Sequence, residues 1–147
     1  MSEKAFQNYF MSVGKALNYH RTSLINGNGY PDITGFHGAK HSLVELKYVE
    51  LGKKGNKKIR PLFKSSQPPW YIEYFKNGGN RLFVAFKIVD FGGDNKRYAL
   101  WQLRKQDILD MDDLMYKDLS HDPGFVYKEY TSCKVMIEEI QYWGAER

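Results

Sequence analysis

The feature that most constrains this chain is the run RLFVAFKIV, residues 81 to 89, which is apolar at nearly every position. Asn77-Gly78-Gly79 precedes it and Gly92-Gly93-Asp94-Asn95 follows it, and both are chain-turning sequences. A strand that is polar on one face alternates, whereas a continuous apolar run demands cover on both faces. The chain must therefore build layers on either side of a sheet. The expected fold class is α/β (or α+β), with a mixed central sheet flanked by helices.

The flanking segments supply those layers. Ser2 to Leu17 reads as a helix, with Phe6, Phe10, Val13 and Leu17 at helical spacing. Asn18 to Ile25 is a first strand or an irregular approach to the turn Asn26-Gly27-Asn28-Gly29. Asp32 to His37 and His41 to Val49 read as a hairpin closed by Gly38-Ala39-Lys40. Leu51 to Lys64 is a basic loop. Ser65 to Lys76 is expected to be helical, with Ser66 as N-cap and Pro68 and Pro69 in the first turn. Arg97 to Leu103 is a further strand, Lys105 to Leu119 a helix with an acidic, solvated face, and Ser132 to Trp143 a last helix after a short extended piece. At 147 residues this is one domain, with its core at about 1–103 and a helical extension at about 104–147.

Composition narrows the partners. Lysine and arginine number 22 against 17 acids, a net charge of +5 that suits a polyanionic partner, either nucleic acid or a membrane surface, and equally a basic structural protein. Cys133 is the single cysteine, so neither an intramolecular disulfide framework nor a cysteine-rich zinc site can form. The lone thiol, the absence of a signal-like apolar segment in MSEKAFQNYF and the shortness of every apolar run point to a soluble protein of the cytoplasm, with no membrane partner. The histidines His20, His37, His41 and His121 lack the paired spacing of a zinc site, and His20 and Arg21, just after the first helix, either reach phosphate or take a surface role, the second being the expectation.

Chemistry concentrates in GYPDITGFHGAKHSLVELK, where Asp32 stands thirteen residues before Glu45-Leu46-Lys47. Along a strand Leu43, Glu45 and Lys47 share one face, and Val44, Leu46 and Tyr48 share the other. Two carboxylates on adjacent hairpin strands, with a backbone carbonyl at Leu46, form an oxygen-rich set suited to Mg²⁺ or Mn²⁺. Lys47 beside them would orient a water or stabilise a phosphoryl transition state. This is the equipment of metal-assisted phosphodiester hydrolysis. Each half alone is common as a solvated charge pair or as loop punctuation; their conjunction carries the inference. Glu3 lies three residues before Phe6 and is either a first-turn acid favoured by the helix dipole or a third carboxylate of the site. Lys53, Lys54, Lys57, Lys58, Arg60 and Lys64 are either phosphate contacts or an ordinary solvated loop. Trp70, Tyr71 and Tyr74 are either core or a stacking surface for bases.

Gly29-Tyr30-Pro31-Asp32, Glu45-Leu46-Lys47 and Gln67 at a helix start together resemble the PD-(D/E)xK nuclease superfamily. The basic loop, Ser65-Ser66-Gln67 and Asn77-Gly78-Gly79 before a buried strand are most similar to RecU-type Holliday junction resolvases, with VRR-NUC nucleases next. The similarity spans about residues 26 to 90, and it departs from the RecU pattern in having Ser66-Gln67 where a His-Gln pair is usual. The resemblance implies a restriction-endonuclease-like core and an Mg²⁺- or Mn²⁺-dependent DNA endonuclease. Asp32, Glu45 and the Leu46 carbonyl match its metal ligands, Lys47 its catalytic lysine and Gln67 its glutamine, with Glu3 a further acid by position. It also implies branched DNA as substrate, a homodimer that cuts two strands symmetrically, and work at the nucleoid or in the phage-infected cytoplasm. The alternatives are a nuclease of flaps, nicks or duplex, and a non-catalytic nucleic-acid-binding module.

Overall fold

A computed structural model describes residues 3–22 and 29–143. Asn26 to Asn28 of the glycine turn, with the end of the proposed first strand, lie outside the described residues. The chain is α/β. Its elements are α1 (Glu3–Gly14), β1 (Tyr19–Arg21), β2 (Ile33–His37), β3 (Lys40–Glu50), α2 (Gln67–Lys76), β4 (Leu82–Val89), β5 (Lys96–Gln102), α3 (Lys105–Leu109), α4 (Tyr116–His121), β6 (Val126–Tyr130) and α5 (Cys133–Glu139). The strands form one six-stranded mixed sheet in chain order. Every neighbouring pair is antiparallel except β3 and β4, which run parallel because α2 lies between them.

The apolar run at the outset is β4, and all of its residues are buried, Lys87 included. It has β3 on one side and β5 on the other, the most sheltered place in the sheet. On one face Val84, Phe86 and Ile88 join Tyr71 of α2, Phe63, Trp101, Ile108 and Leu119. On the other, Phe83 and Ala85 join Phe6 and Phe10 of α1 and Met136 and Ile137 of α5. Losing one of these aromatics to alanine would cost about 3–5 kcal/mol.

The hairpin is tighter than the sequence indicates. His37 pairs directly with Lys40, so Gly38-Ala39 is the whole turn and Gly38 takes the positive φ of 64° that closes it.

Four expectations are corrected. Lys105 to Leu119 is not one helix. The Ile59 N–H donates to the Leu114 carbonyl and the Tyr116 N–H to the Lys57 carbonyl, and Lys58 bridges to Met115. Those bonds consume backbone groups that a continuous helix needs, so α3 ends, a 3₁₀ turn covers Met111–Asp113, and α4 restarts where Asp118 accepts the Met115 N–H. Asp107 is not on a solvated face either; it is buried and takes both the Arg104 guanidinium, at 2.6 Å, and the Arg104 N–H. Ser66 does not cap α2: its backbone is already helical and its side chain makes no capping bond, while the Gln67 carboxamide oxygen accepts the Lys64 N–H instead. Residues 104–143 are also more than a helical extension. They contribute β6 to the sheet, and α5, capped by Ser132 and continued by a 3₁₀ turn at Ile140–Tyr142, packs on α1 and closes one core.

Candidate active site

The site arises where β2 leaves β3. Their ladder ends at Ile33 and Val44, so the edge of β3 beyond Val44 has no strand beside it. An unpaired N–H there must find another acceptor. The Leu46 N–H donates to Oδ2 of Asp32 at 2.9 Å, which fixes that carboxylate against the strand. A strand residue turns its N–H and C=O to the same edge, so the Leu46 carbonyl faces the same opening. Thr22 braces the other side. Its N–H donates to the Asp32 carbonyl at 3.0 Å and its hydroxyl to the Pro31 carbonyl at 2.7 Å. Gly29, at φ +89°, itself lies close against the Ser66 carbonyl at the start of α2, where a Cβ would not fit.

Glu45 and Lys47 project from β3 toward the α2 face and are both buried, at 2% and 4% exposure. Lys47 Nζ stands 3.0 Å from Glu45 Oε2 and donates to Gln67 Oε1 at 3.4 Å. It also sits 5.0 Å from the centre of the Phe63 ring. The lysine is thus held in one position by a carboxylate, a carboxamide and an aromatic face. The other Glu45 oxygen, Oε1, is buried with no hydrogen-bond partner among the described residues. Burial pushes the Glu45 carboxyl up to about 7; Lys47 opposes the rise and Asp32 adds to it.

Glu3 arrives from the opposite face of the sheet, at the first turn of α1. It reaches around the gap that β2 leaves. One oxygen each from Glu3, Asp32 and Glu45 lie within 4.8 Å of one another. Glu3 is the acid in the first turn of α1 and is exposed, and it also lies beside Asp32 and Glu45, so its position fits both roles open to it in the sequence.

These groups line a cleft of about 310 Å³. The sequence brings Glu3, Asp32, Glu45, Lys47, Lys64 and Gln67 to it. The fold adds Gln7, Arg21, Thr22 and Tyr30. Arg21 comes from β1 and donates to Gln7 Oε1 at 3.1 Å and Asn8 Oδ1 at 2.7 Å, both neutral acceptors. Its place just after the first helix is the one signal for it in the sequence, and β1 brings it to the cleft by pairing with β2. Three carboxylates (Glu3, Asp32, Glu45) face three cations (Arg21, Lys47, Lys64) in the cleft. A bound divalent ion would turn that balance positive.

The basic loop divides. Lys64 alone among its cations lines the cleft. Lys53 lies over Phe91, Lys58 bridges to Met115, and Arg60 bonds the Phe63 carbonyl and pairs with Asp112 at 3.7 Å. Lys54 and Lys57 are exposed. Ile59 and Phe63 are buried, so the loop is anchored in the core. Tyr71 is also core, whereas Trp70 and Tyr74 are half-buried and stack on one another at 5.8 Å. No helix among the described residues is long and apolar enough to cross a membrane. The chain matches no protein-family model, no curated protein and no solved structure.

Proposed function

We propose that this protein is a divalent-metal-dependent DNA endonuclease built on a restriction-endonuclease-like core. The observation that carries the reading is Glu45 Oε1. Among the described residues it is a buried carboxylate oxygen without a hydrogen-bond partner, converging with oxygens of Asp32 and Glu3 while its sister oxygen is held by Lys47. Burying a charged oxygen with nothing to bind is costly. A cation between the three acids removes that cost. The donors are all oxygen, which suits Mg²⁺ or Mn²⁺ and disfavours the nitrogen- and sulfur-seeking metals.

Glu3, Asp32, Glu45 and the Leu46 carbonyl would hold the ion. Bound there, it supplies neutralisation of the phosphate and a more acidic water. Lys47, held in a single position, donates from Nζ to the attacking water or to a phosphate oxygen. Gln67 keeps that ammonium in place, since its Oε1 accepts from both Lys47 and the Lys64 backbone. Arg21 and Lys64 flank the acids and take neighbouring phosphates. The cleft lies along the β3 edge and the start of α2, which gives a DNA strand room to pass through.

Within this reading, four-way junctions are the preferred substrate and a homodimer is the working unit, because symmetric resolution needs two equivalent sites. The work then falls at the nucleoid or on phage DNA in the cytoplasm. The test is a Mg²⁺ and Mn²⁺ cleavage assay of wild type and Asp32→Asn on a four-way junction, a flap, a nicked duplex, a linear duplex and a single strand. Paired, Asp32-dependent cuts near the junction centre are expected. Asp32-dependent cutting of the other DNAs alone keeps the nuclease and removes the resolvase. Metal-independent cutting, or none, removes both.

A further inference from the structure

The α2 face of the sheet is only partly covered. Glu45 and Lys47 are buried on it, but toward the β2–β3 turn it is open. There His20 of β1, Phe36 of β2 and His41 of β3 stand in a row, with ring centres 5.7 and 5.0 Å apart, and all three are exposed. His41 projects from the same strand face as Glu45, four residues before it, roughly 13 Å away at ~3.3 Å per residue. The open face is continuous with the candidate active site.

The row borders a cavity of about 740 Å³ between the β2–β3 turn, the end of α2 and the end of β5. Lys40, His41, Asn80, Arg81, Gln102 and Arg104 stand in its wall, and no acid lines it among the described residues. Arg104 is answered by the buried Asp107 at 2.6 Å. The other two cations have no such answer. Lys40 makes no ion pair among the described residues. Arg81 is buried and donates to neutral oxygens, the Ser42 hydroxyl and the Ile140 and Trp143 carbonyls. Their field reaches the His37 imidazole at the turn, which is held below its ordinary range by burial first and then by Arg81 and Lys40. A buried cation with no counter-charge is costly, and a bound anion removes that cost.

The same wall decides which anion fits. The Tyr74 ring is covered by Trp70 and Gly79, and its hydroxyl accepts the Arg81 N–H at 3.0 Å, so a base finds no free aromatic face here. Duplex DNA keeps its bases enclosed and presents a ridge of phosphates, one charge per ~1.7 Å of axis. That ridge matches a cationic hollow beside an open sheet face.

We propose that the cavity and the open face beside it form a second DNA contact, on which the duplex arm leaving the cleft rests its backbone, with a phosphate against Lys40 and His41. The inference rests on the nuclease reading and deepens it: each arm of a four-way junction is duplex, and this surface holds the arm that is cut. At ~3.4 Å per base pair the contact falls about four base pairs from the scissile phosphate. The Gln102 Oε1, buried without a hydrogen-bond partner among the described residues, accepts from a water that donates its other hydrogen to a phosphate oxygen.

The test is metal-free fluorescence anisotropy with full-length Asp32→Asn protein and a fluorescein-labelled four-way junction. Neutral methylphosphonate linkages are scanned along its arms. Adding Lys40→Ala and His41→Ala together should weaken junction binding about tenfold and lower the salt slope by about one; circular dichroism checks that the fold is kept. Methylphosphonates about four base pairs from the mapped cut should weaken the parent by a similar factor and do nothing further to the doubly substituted protein, since the same contact is already lost. Unchanged affinity and salt slope, or methylphosphonate effects that add to the substitutions at every position, overturn the proposal. So does calorimetry in which inorganic phosphate binds the parent at micromolar concentration and the substituted protein not at all, because the cavity then serves a small anion. Absence of metal-dependent cleavage in wild type would remove the nuclease reading instead, while the scan, which needs neither metal nor turnover, still decides the DNA contact.

Discussion

Glu45 ties stability to pH in a direction opposite to that of most acids. Its carboxyl ordinarily titrates near 4.5 and is pushed up to about 7 in the fold, chiefly by burial. Between those two values the folded protein holds a proton that the unfolded chain releases. Its contribution to stability is therefore fully present below about pH 4.5 and is lost as pH rises through about 7. At about 1.36 kcal/mol per pH unit the loss is about 3 kcal/mol. Solvent screening takes little from that figure, because the side chain is only 3% exposed. Against a total stability of about 5–15 kcal/mol the change is large. The experiment is urea unfolding of wild type and Glu45→Gln in EDTA, from pH 4.5 to 8. Other groups, among them the depressed His37, also contribute to the absolute curve. The difference between the two proteins isolates Glu45. The variant's stability should gain on wild type by about 3 kcal/mol across the window. Parallel curves would refute the argument. Added Mg²⁺ should stabilise only wild type, and more strongly as pH rises through 7, because the ion competes with that proton.

Three shorter predictions address the surroundings of Glu45. Lys47→Ala should lower the cleavage rate by about 10²–10⁴-fold and move the pH profile to higher pH, since it removes the cation that opposes the rise of the Glu45 carboxyl; a normal rate in single-turnover assays would remove Lys47 from the chemistry. Gly29→Ala should cost about 1–3 kcal/mol in urea unfolding, because its φ is +89° and a Cβ would run into the Ser66 carbonyl; wild-type stability would show that Gly29 does not press on α2. Lys64→Ala should weaken DNA binding more than Lys53→Ala, since only Lys64 lines the cleft. Equal losses in salt-titrated anisotropy would return the whole loop to the phosphate contact.

What the sequence could reveal follows from how far each constraint reaches along the chain. The hairpin bearing Asp32, Glu45 and Lys47 is legible because alternation and a two-residue turn are local, and strand geometry then dictates which side chains share a face. β4 is legible because continuous apolarity has few other solutions. The break between α3 and α4 is not, since local spacing there suits a helix. It is imposed by backbone bonds from residues 57 and 59 to residues 116 and 114, more than fifty positions away. The same distinction divides the cleft. Asp32 and Glu45 are joined by a short hairpin, but Glu3 and Arg21 enter only once α1 has docked on β3 and β1 has paired with β2. Glu3 carried a hint, an acid three residues from a core phenylalanine; Arg21 carried a weaker one, a cation just after the first helix. A catalytic set read from a hairpin is therefore the minimal part of a site. The rest of the cleft lining comes from elements whose meeting is a tertiary event, and in this chain Glu3, Arg21 and Gln67 reach the cleft in that way.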